Sequence, residues 1–136
     1  MQQIIHLHGG DAFPDMETFY TYLKQKNYDP LKEKKYWREW LKQQLPEYQV
    51  FLPQMPNGRM ASYTARKIWF EKLFPYLNDE GTILIGHSLG ATFLLKYLSE
   101  NIFPQPISKL CLVASSIDEE TGYDKKHFLG DFVWDF

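Results

Sequence analysis

The spacing of hydrophobic and polar positions changes repeatedly along the chain, and each change predicts a new element. Short apolar runs alternate with longer segments in which apolar residues recur every three or four positions. The predicted strands are 3–7, 48–52, 82–86 and 109–114, and the predicted helices are 16–26, 32–45, 62–74 and 89–99. Because strands alternate with helices throughout, the pattern predicts a single α/β domain over residues 1–136, with a parallel sheet and helices on both faces.

Apolar stripes in the predicted helices indicate which side chains should face the core. The second helix also carries a run of lysines, which is typical of a solvated face. Ser62 precedes the third helix and is predicted to cap it. In the first helix, the apolar positions Met16, Phe19, Tyr20 and Leu23 form one stripe. The predicted inward positions are Ala65, Ile68, Trp69 and Leu73 in the third helix, and Phe93, Leu94, Tyr97 and Leu98 in the fourth.

The composition mainly excludes particular functions and locations. With 44% hydrophobic and 24% charged residues and a net charge of −2, the chain has an ordinary globular balance and no basic excess for nucleic-acid binding. Its single cysteine, Cys111, excludes an internal disulfide and favours a reducing, cytoplasmic location. The first residues are predicted as a strand rather than a signal peptide, and no apolar run is long enough to span a membrane.

Residues 82–91 read T-I-L-I-G-H-S-L-G-A, an apolar strand that turns abruptly into a helix. Ser88 lies between Gly86 and Gly90, and a turn this sharp leaves no room for side chains at those two positions. This is the pattern of a nucleophile elbow, which exposes a serine hydroxyl above the edge of a sheet. Ser88 is therefore a candidate nucleophile, and a tight turn with a helix-capping serine is the alternative.

A second segment fits the same chemistry. Acyl transfer builds negative charge on the attacked carbonyl oxygen, and preorganised N–H groups stabilise that charge. In an elbow architecture one donor is the amide after the nucleophile, here Leu89, and the other comes from the loop after an adjacent strand. The first predicted strand runs into His8-Gly9-Gly10, so Gly9 and Gly10 are the candidates for the second donor.

The remaining histidines near these segments are predicted to be structural. His6 lies within a strand and is expected to be a core residue with its hydrogen bonds satisfied. His87 should point away from the serine hydroxyl and shape the elbow. Neither His6 nor His8 has the spacing of a metal site, so neither a metal nor a cofactor is expected.

Beyond the elbow and the His-Gly-Gly loop, three further segments resemble one family of small serine hydrolases. They are P-Q-M-P, Y-T-A-R-K-I-W-F-E-K-L and L-C-L-V-A-S. The chain resembles, over nearly its whole length, the family of retinoblastoma-binding protein nine and its YdeN-like bacterial relatives. The resemblance implies an α/β-hydrolase fold without a large lid, acting on esters or amides. We expect the strand order 2-1-3-4.

The chain departs from that family between about residues 11 and 35, where the link into the first helix looks longer. The segment follows the predicted oxyanion loop and is rich in aromatic residues. Two interpretations stay open, namely an insertion that walls the substrate pocket and a surface helix packed at the sheet edge. The aromatic residues concerned are Phe13, Phe19, Tyr20, Tyr22 and Tyr28.

The second departure concerns the base and acid that a serine nucleophile requires. In this fold the order along the chain is serine, acid, histidine, and His127 is the one histidine after Ser88. The nearby carboxylates are Asp118, Asp124, Asp131 and Asp135. Since these residues share one excursion after the fourth strand, we expect His127 to be a surface residue. The base and acid, with the last strands of the fold, are then expected beyond residue 136.

The sequence thus predicts hydrolysis of a small carboxylic ester or amide, with Ser88 attacking and Leu89, Gly9 and Gly10 holding the oxyanion. The alternative is a pseudo-hydrolase or binding module that lacks the triad acid and histidine. No nucleic-acid or membrane partner is expected. An unpaired sheet edge favours self-association.

Overall fold

One parallel sheet organises the protein. The computed structural model describes residues 1–11, 13, 15–33, 36–56, 58, 61–115 and 132. Within them, four strands lie in the order β2-β1-β3-β4, and every neighbouring pair is parallel. The strands are β1 Gln3–Leu7, β2 Gln49–Phe51, β3 Thr82–His87 and β4 Ile107–Val113. The predicted α/β class, parallel sheet and strand order are confirmed.

The helices are α1 Met16–Gln25, α2 Trp37–Gln44, α3 Tyr63–Glu71 and α4 Leu89–Glu100, with a 3₁₀ turn at Phe74–Tyr76. The predicted start of the second helix was wrong. Lys32 and Glu33 lie outside it, because a charged segment offers no apolar stripe to pack and short helices depend on packing. The third helix ends earlier than predicted, since Pro75 cannot continue the α-helical hydrogen bonding.

The larger core lies on the side of the sheet covered by α3 and α4, which we call the packed face. Ile5 and Leu7 of β1 and Leu84 of β3 point into it. Of the predicted inward residues of α4, Phe93, Leu94 and Tyr97 are buried, and Leu98 packs at the margin. The aromatic rings of this core are Tyr63, Phe70, Phe74, Phe93, Tyr97, Phe103 and Phe132.

The inward face of α3 differs from the prediction. Ile68 and Trp69 are 57% and 44% exposed. The buried positions are Tyr63, Arg66 and Phe70, whose spacings of three and four place them on one side of a helix. Ser62 caps this helix as predicted, because its hydroxyl accepts a hydrogen bond from the Ala65 N–H at 3.2 Å. A buried arginine thus occupies a position that apolar periodicity assigns to the surface.

The opposite side of the sheet is more thinly covered. Its core consists of Ile4, Val50 and Ile83, with partly buried side chains around them. Neither α1 nor α2 contains a buried residue. The predicted first helix forms, and none of its residues, including its apolar stripe, is buried.

Strand β4 forms an edge of the sheet. Among the described residues its one strand neighbour is β3. Leu110, Cys111 and Val113 are exposed along it. Self-association through this edge stays a prediction.

Candidate active site

The turn between β3 and α4 holds Ser88 in an unusual conformation. Its φ is 53° and its ψ is −122°, and Ala114 is the other non-glycine residue with positive φ among those described. Such a conformation costs on the order of 1–3 kcal/mol and persists where the surroundings enforce it. Here the Ser88 N–H donates to the Val113 carbonyl at 2.8 Å. The Ser88 side chain is partly exposed rather than buried.

The two glycines of the elbow permit this turn through close approach. A Cβ on Gly90 would lie 2.2 Å from the Leu7 carbonyl oxygen, and one on Gly86 would lie 2.6 Å from the Ala91 Cα. Both obstacles are backbone atoms, so no side-chain rotation could relieve them. A larger residue at position 90 would force α4 away from β1, and one at position 86 would force α4 away from β3.

The structure brings the predicted oxyanion loop against the elbow. A Cβ on Gly9 would lie 3.1 Å from the Ser88 Cβ and 3.4 Å from its Oγ, and one on Gly10 would lie 3.3 Å from the Leu89 side chain. Since β1 and β3 are paired neighbours, the loop after β1 necessarily ends beside the elbow. The four residues predicted from separate segments are therefore adjacent, and their catalytic roles stay predictions.

Three amides at this junction could bind an anion. Within the described part of the chain, the N–H groups of Gly9, Gly10 and Leu89 have no backbone acceptor. Leu89 opens α4, where the first N–H groups are unpaired and the helix dipole favours negative charge.

His8 helps to shape the loop. The Met55 N–H donates to its Nε2 at 2.8 Å, so the proton lies on Nδ1, which donates to the Gly9 carbonyl at 2.5 Å. Burial lowers the pKa of His8 and favours this neutral form. Because both ring nitrogens are engaged in fixing the loop, neither is free to accept a proton from Ser88.

Arg66 of α3 reaches the same loop from the packed face. Its side chain is fully buried, with Nη1 donating to the His8 carbonyl at 3.1 Å and Nη2 to the Gly9 carbonyl at 3.2 Å. Burial lowers the pKa of Arg66 to about 10, so the guanidinium remains charged at neutral pH.

A cavity of about 540 Å³ opens beside the elbow. It lies at the ends of β1 and β3 on the side opposite the packed face, and we call this side the cavity face. Ser88 is not among its lining residues, but its neighbours Gly9 and His87 are. The lining residues are His6, His8, Gly9, Gly10, Asp11, Lys26, Tyr36, Trp37, Arg38, Gln54, Gly58 and His87.

The cavity wall carries charge from the segment that looked like an insertion. Asp11 and Lys26 come from it, and Arg38 follows at the start of α2. Arg38 Nη2 donates to Gln54 Oε1 at 3.0 Å. The segment therefore contributes to the cavity wall, although none of its five aromatic residues lines it.

His6 does not match its predicted environment in one respect. It is only 1% exposed, as expected of a core residue, and its ring meets that of Trp37 edge-on at 4.5 Å. However, neither ring nitrogen has a hydrogen-bond partner among the described residues. The expectation of satisfied hydrogen bonds was wrong, because α2 presents an indole ring there rather than an acceptor. Burial lowers the pKa of His6 to about 4.

His87 points toward the same side, with its ring 6.2 Å from that of Trp37. It lines the cavity, a position that its predicted structural role did not include.

The Ser88 hydroxyl has no hydrogen-bond partner among the described residues, so none of them is in position to act as its general base. The candidates His127, Asp118, Asp124, Asp131 and Asp135 lie outside them. Among the described residues there is no group of three or more His, Cys, Asp or Glu side chains able to bind a metal ion. None of the described helices combines the length and apolarity needed to cross a bilayer.

Two parts of the site escaped sequence reasoning. The cavity is assembled from β1, α2 and two loops distant in sequence, so no local pattern marks it. Arg66 had a usable signal, because it shares one helical stripe with Tyr63 and Phe70.

Comparisons with known proteins agree with this geometry at the level of the fold. Residues 31–136 match the family model described as the alpha/beta hydrolase fold. No curated protein and no solved structure matches the chain. The match covers the elbow, the strands β2, β3 and β4 and the helices α2 to α4, while β1 and its glycine loop lie outside it. The chain belongs to the α/β-hydrolase fold family.

Proposed function

We propose that this chain is a serine hydrolase domain for small carboxylic esters or amides, of the branch that includes retinoblastoma-binding protein nine. The observation that carries the proposal is the conformation of Ser88, which lies at φ 53° directly against Gly9. A strained serine beside amides that have no backbone acceptor among the described residues is the arrangement that acyl transfer requires.

In the proposed reaction, the Ser88 Oγ attacks the substrate carbonyl carbon while a base accepts its proton. The carbonyl electron pair moves onto the oxygen, where the amides of Leu89 and of the Gly9-Gly10 loop stabilise it. Collapse of the intermediate expels the alcohol or amine, which takes up the proton. Water then attacks the acyl-serine in the same way and releases the acid. In this proposal no described residue is assigned the role of base or acid.

A second candidate is a binding module that keeps the cavity but not the chemistry. The observation that favours it is the absence, within the described residues, of any histidine on the Ser88 hydroxyl. Loss of triad members still leaves residual catalysis of roughly 10³–10⁴-fold over water in known triad enzymes. Slow acylation of Ser88 is therefore expected even without a base.

The test is release of p-nitrophenol from p-nitrophenyl acetate by the 136-residue chain. We expect a slow release that is lost in Ser88→Ala and kept in Ser99→Ala, a serine later in the same helix. Equal rates in wild type and Ser88→Ala would overturn the hydrolase proposal and favour the binding module. Rapid turnover would instead contradict the expectation that base and acid lie beyond residue 136.

A further inference from the structure

Arg66 occupies an unexpected place for an arginine. It is fully buried on the packed face, and its Nε has no hydrogen-bond partner among the described residues. No ion pair with a described carboxylate accompanies it. Burying a guanidinium is costly unless its charge is compensated. The compensation here comes from two consecutive carbonyl groups of the loop after β1.

Each of these two contacts also fixes the direction of a neighbouring amide N–H. The described peptide bonds are all trans, and in a trans peptide the C=O and the following N–H point in opposite directions. Arg66 holds the His8 carbonyl, which fixes the direction of the Gly9 N–H. It also holds the Gly9 carbonyl, which fixes that of the Gly10 N–H.

These are the two amides of the loop that lack a backbone acceptor within the described residues. A Cβ on Gly9 would lie 3.4 Å from the Ser88 Oγ, and one on Gly10 would lie 3.3 Å from the Leu89 side chain, so both glycines adjoin the elbow. Both carbonyls turn toward the buried arginine, so both N–H groups turn away from it.

We propose that Arg66 is a positioning residue, which turns the Gly9 and Gly10 amides outward so that they can bind the oxyanion formed at Ser88. This inference rests on the proposed function. His8 assists from the side by donating to the same Gly9 carbonyl. Arg66 itself does not touch the substrate, because the loop lies between.

Lysine and methionine at position 66 separate charge from geometry. A methionine fills part of the space but holds neither carbonyl. A lysine keeps the charge but lacks the planar fork that reaches two acceptors at once. Phe70→Leu is the matched control, because Phe70 is equally buried one turn along α3 and its ring packs against other aromatic rings of the core.

The first readout is the Ser88-dependent release of p-nitrophenol. For Arg66→Met we expect kcat about 10- to 100-fold lower with little change in KM, since oxyanion donors act on the transition state. Arg66→Lys should lie between Arg66→Met and wild type, and Phe70→Leu should match wild type at a temperature where each is folded. Wild-type kcat in both Arg66 variants, or an equal loss in Phe70→Leu, would overturn the proposal.

The second readout does not need activity, and it keeps the test decisive if Arg66→Met fails to fold. In ¹H–¹⁵N spectra of Arg66→Lys, the Gly9 and Gly10 amide signals should move while that of the distant Gly81 stays. Unmoved Gly9 and Gly10 signals would overturn the positioning role. Should wild type show no Ser88-dependent release, the proposed function fails, and these spectra still decide the role of Arg66.

Discussion

The two faces of the sheet differ in how tightly the helices pack against them. On the packed face, α3 and α4 bury a continuous cluster of aromatic rings around Phe70 and Phe93. On the cavity face, α2 contributes no buried residue, and His6 packs against its Trp37 with neither ring nitrogen hydrogen-bonded to a described residue. Close packing fixes the elbow from one side, while loose packing leaves room for a ligand on the other.

This contrast explains how one short chain can hold a strained serine. The strain at Ser88 requires rigid surroundings, and these come from the packed face through β1, β3 and α4. Accessibility requires open space, which the cavity face supplies beside Gly9 and His87. With the exception of Arg66, we expect substitutions on the packed face to act on stability and those that line the cavity to act on binding.

The largest difference should appear between two glycines. Gly90→Ala places a Cβ 2.2 Å from the Leu7 carbonyl oxygen, whereas a Cβ on Gly58, at the cavity, meets nothing within 4 Å. We expect Gly90→Ala to lower the free energy of unfolding by at least about 4 kcal/mol, or to prevent folding. Gly58→Ala should leave it unchanged or slightly raised. Urea denaturation followed by circular dichroism measures both, and comparable losses would contradict the contrast.

Two aromatic residues provide the next test. Phe93→Ala removes a fully buried ring that contacts Phe70, Tyr63 and Tyr97. A loss of about 3–5 kcal/mol is expected. Trp40→Ala, on the exposed side of α2, should cost less than about 1 kcal/mol. Urea denaturation measures the change in unfolding free energy for both variants. Equal losses in Phe93→Ala and Trp40→Ala would show that α2 is packed as tightly as α4.

The third prediction concerns the pH dependence of stability. The pKa of His6 is about 4 in the folded protein and 6.5 in its ordinary range. The unfolded chain therefore binds more protons between these values, and stability falls as the pH falls. From pH 7 to pH 5 we expect His6 to account for a loss of about 2 kcal/mol.

His6→Phe is the matched variant, because phenylalanine can keep the contact with Trp37 without titrating. Its unfolding free energy should fall less steeply between pH 7 and pH 5, and the slope that remains includes the contribution of His8. Identical slopes in wild type and His6→Phe would contradict the buried, neutral state of His6.

The smallest expected effect compares two helix caps. Ser62 caps α3, and Asp15 caps α1 by accepting from the Thr18 N–H at 2.7 Å. Ser62→Ala should lower global stability by about 1 kcal/mol, because α3 belongs to the packed core. Asp15→Ala should mainly increase hydrogen exchange in α1, which has no buried residue. A larger global loss from Asp15→Ala would mean that α1 is integral to the core.

Local sequence patterns were sufficient for the framework of this fold. The apolar run of β3 and the spacing of Gly86, Ser88 and Gly90 mark the elbow within a few residues of sequence, and the strand order was expected from the fold that this motif resembles. The space that Gly90 must leave for the Leu7 carbonyl of β1 became visible only in the structure. The inward face of α3 did not follow, because Arg66 is buried by carbonyl groups 57 and 58 positions away. The cavity and the unpartnered state of His6 likewise depend on which side chain α2 presents across the sheet.

The central proposal is that Ser88 is a nucleophile exposed at the elbow, beside the cavity-lining residues Gly9 and His87. Labelling with a fluorophosphonate probe, followed by peptide mass spectrometry, tests it directly. We predict one adduct, on the peptide containing Ser88, and its disappearance in Ser88→Ala but not in Ser99→Ala. An adduct on another residue, or labelling that persists in Ser88→Ala, would contradict the account.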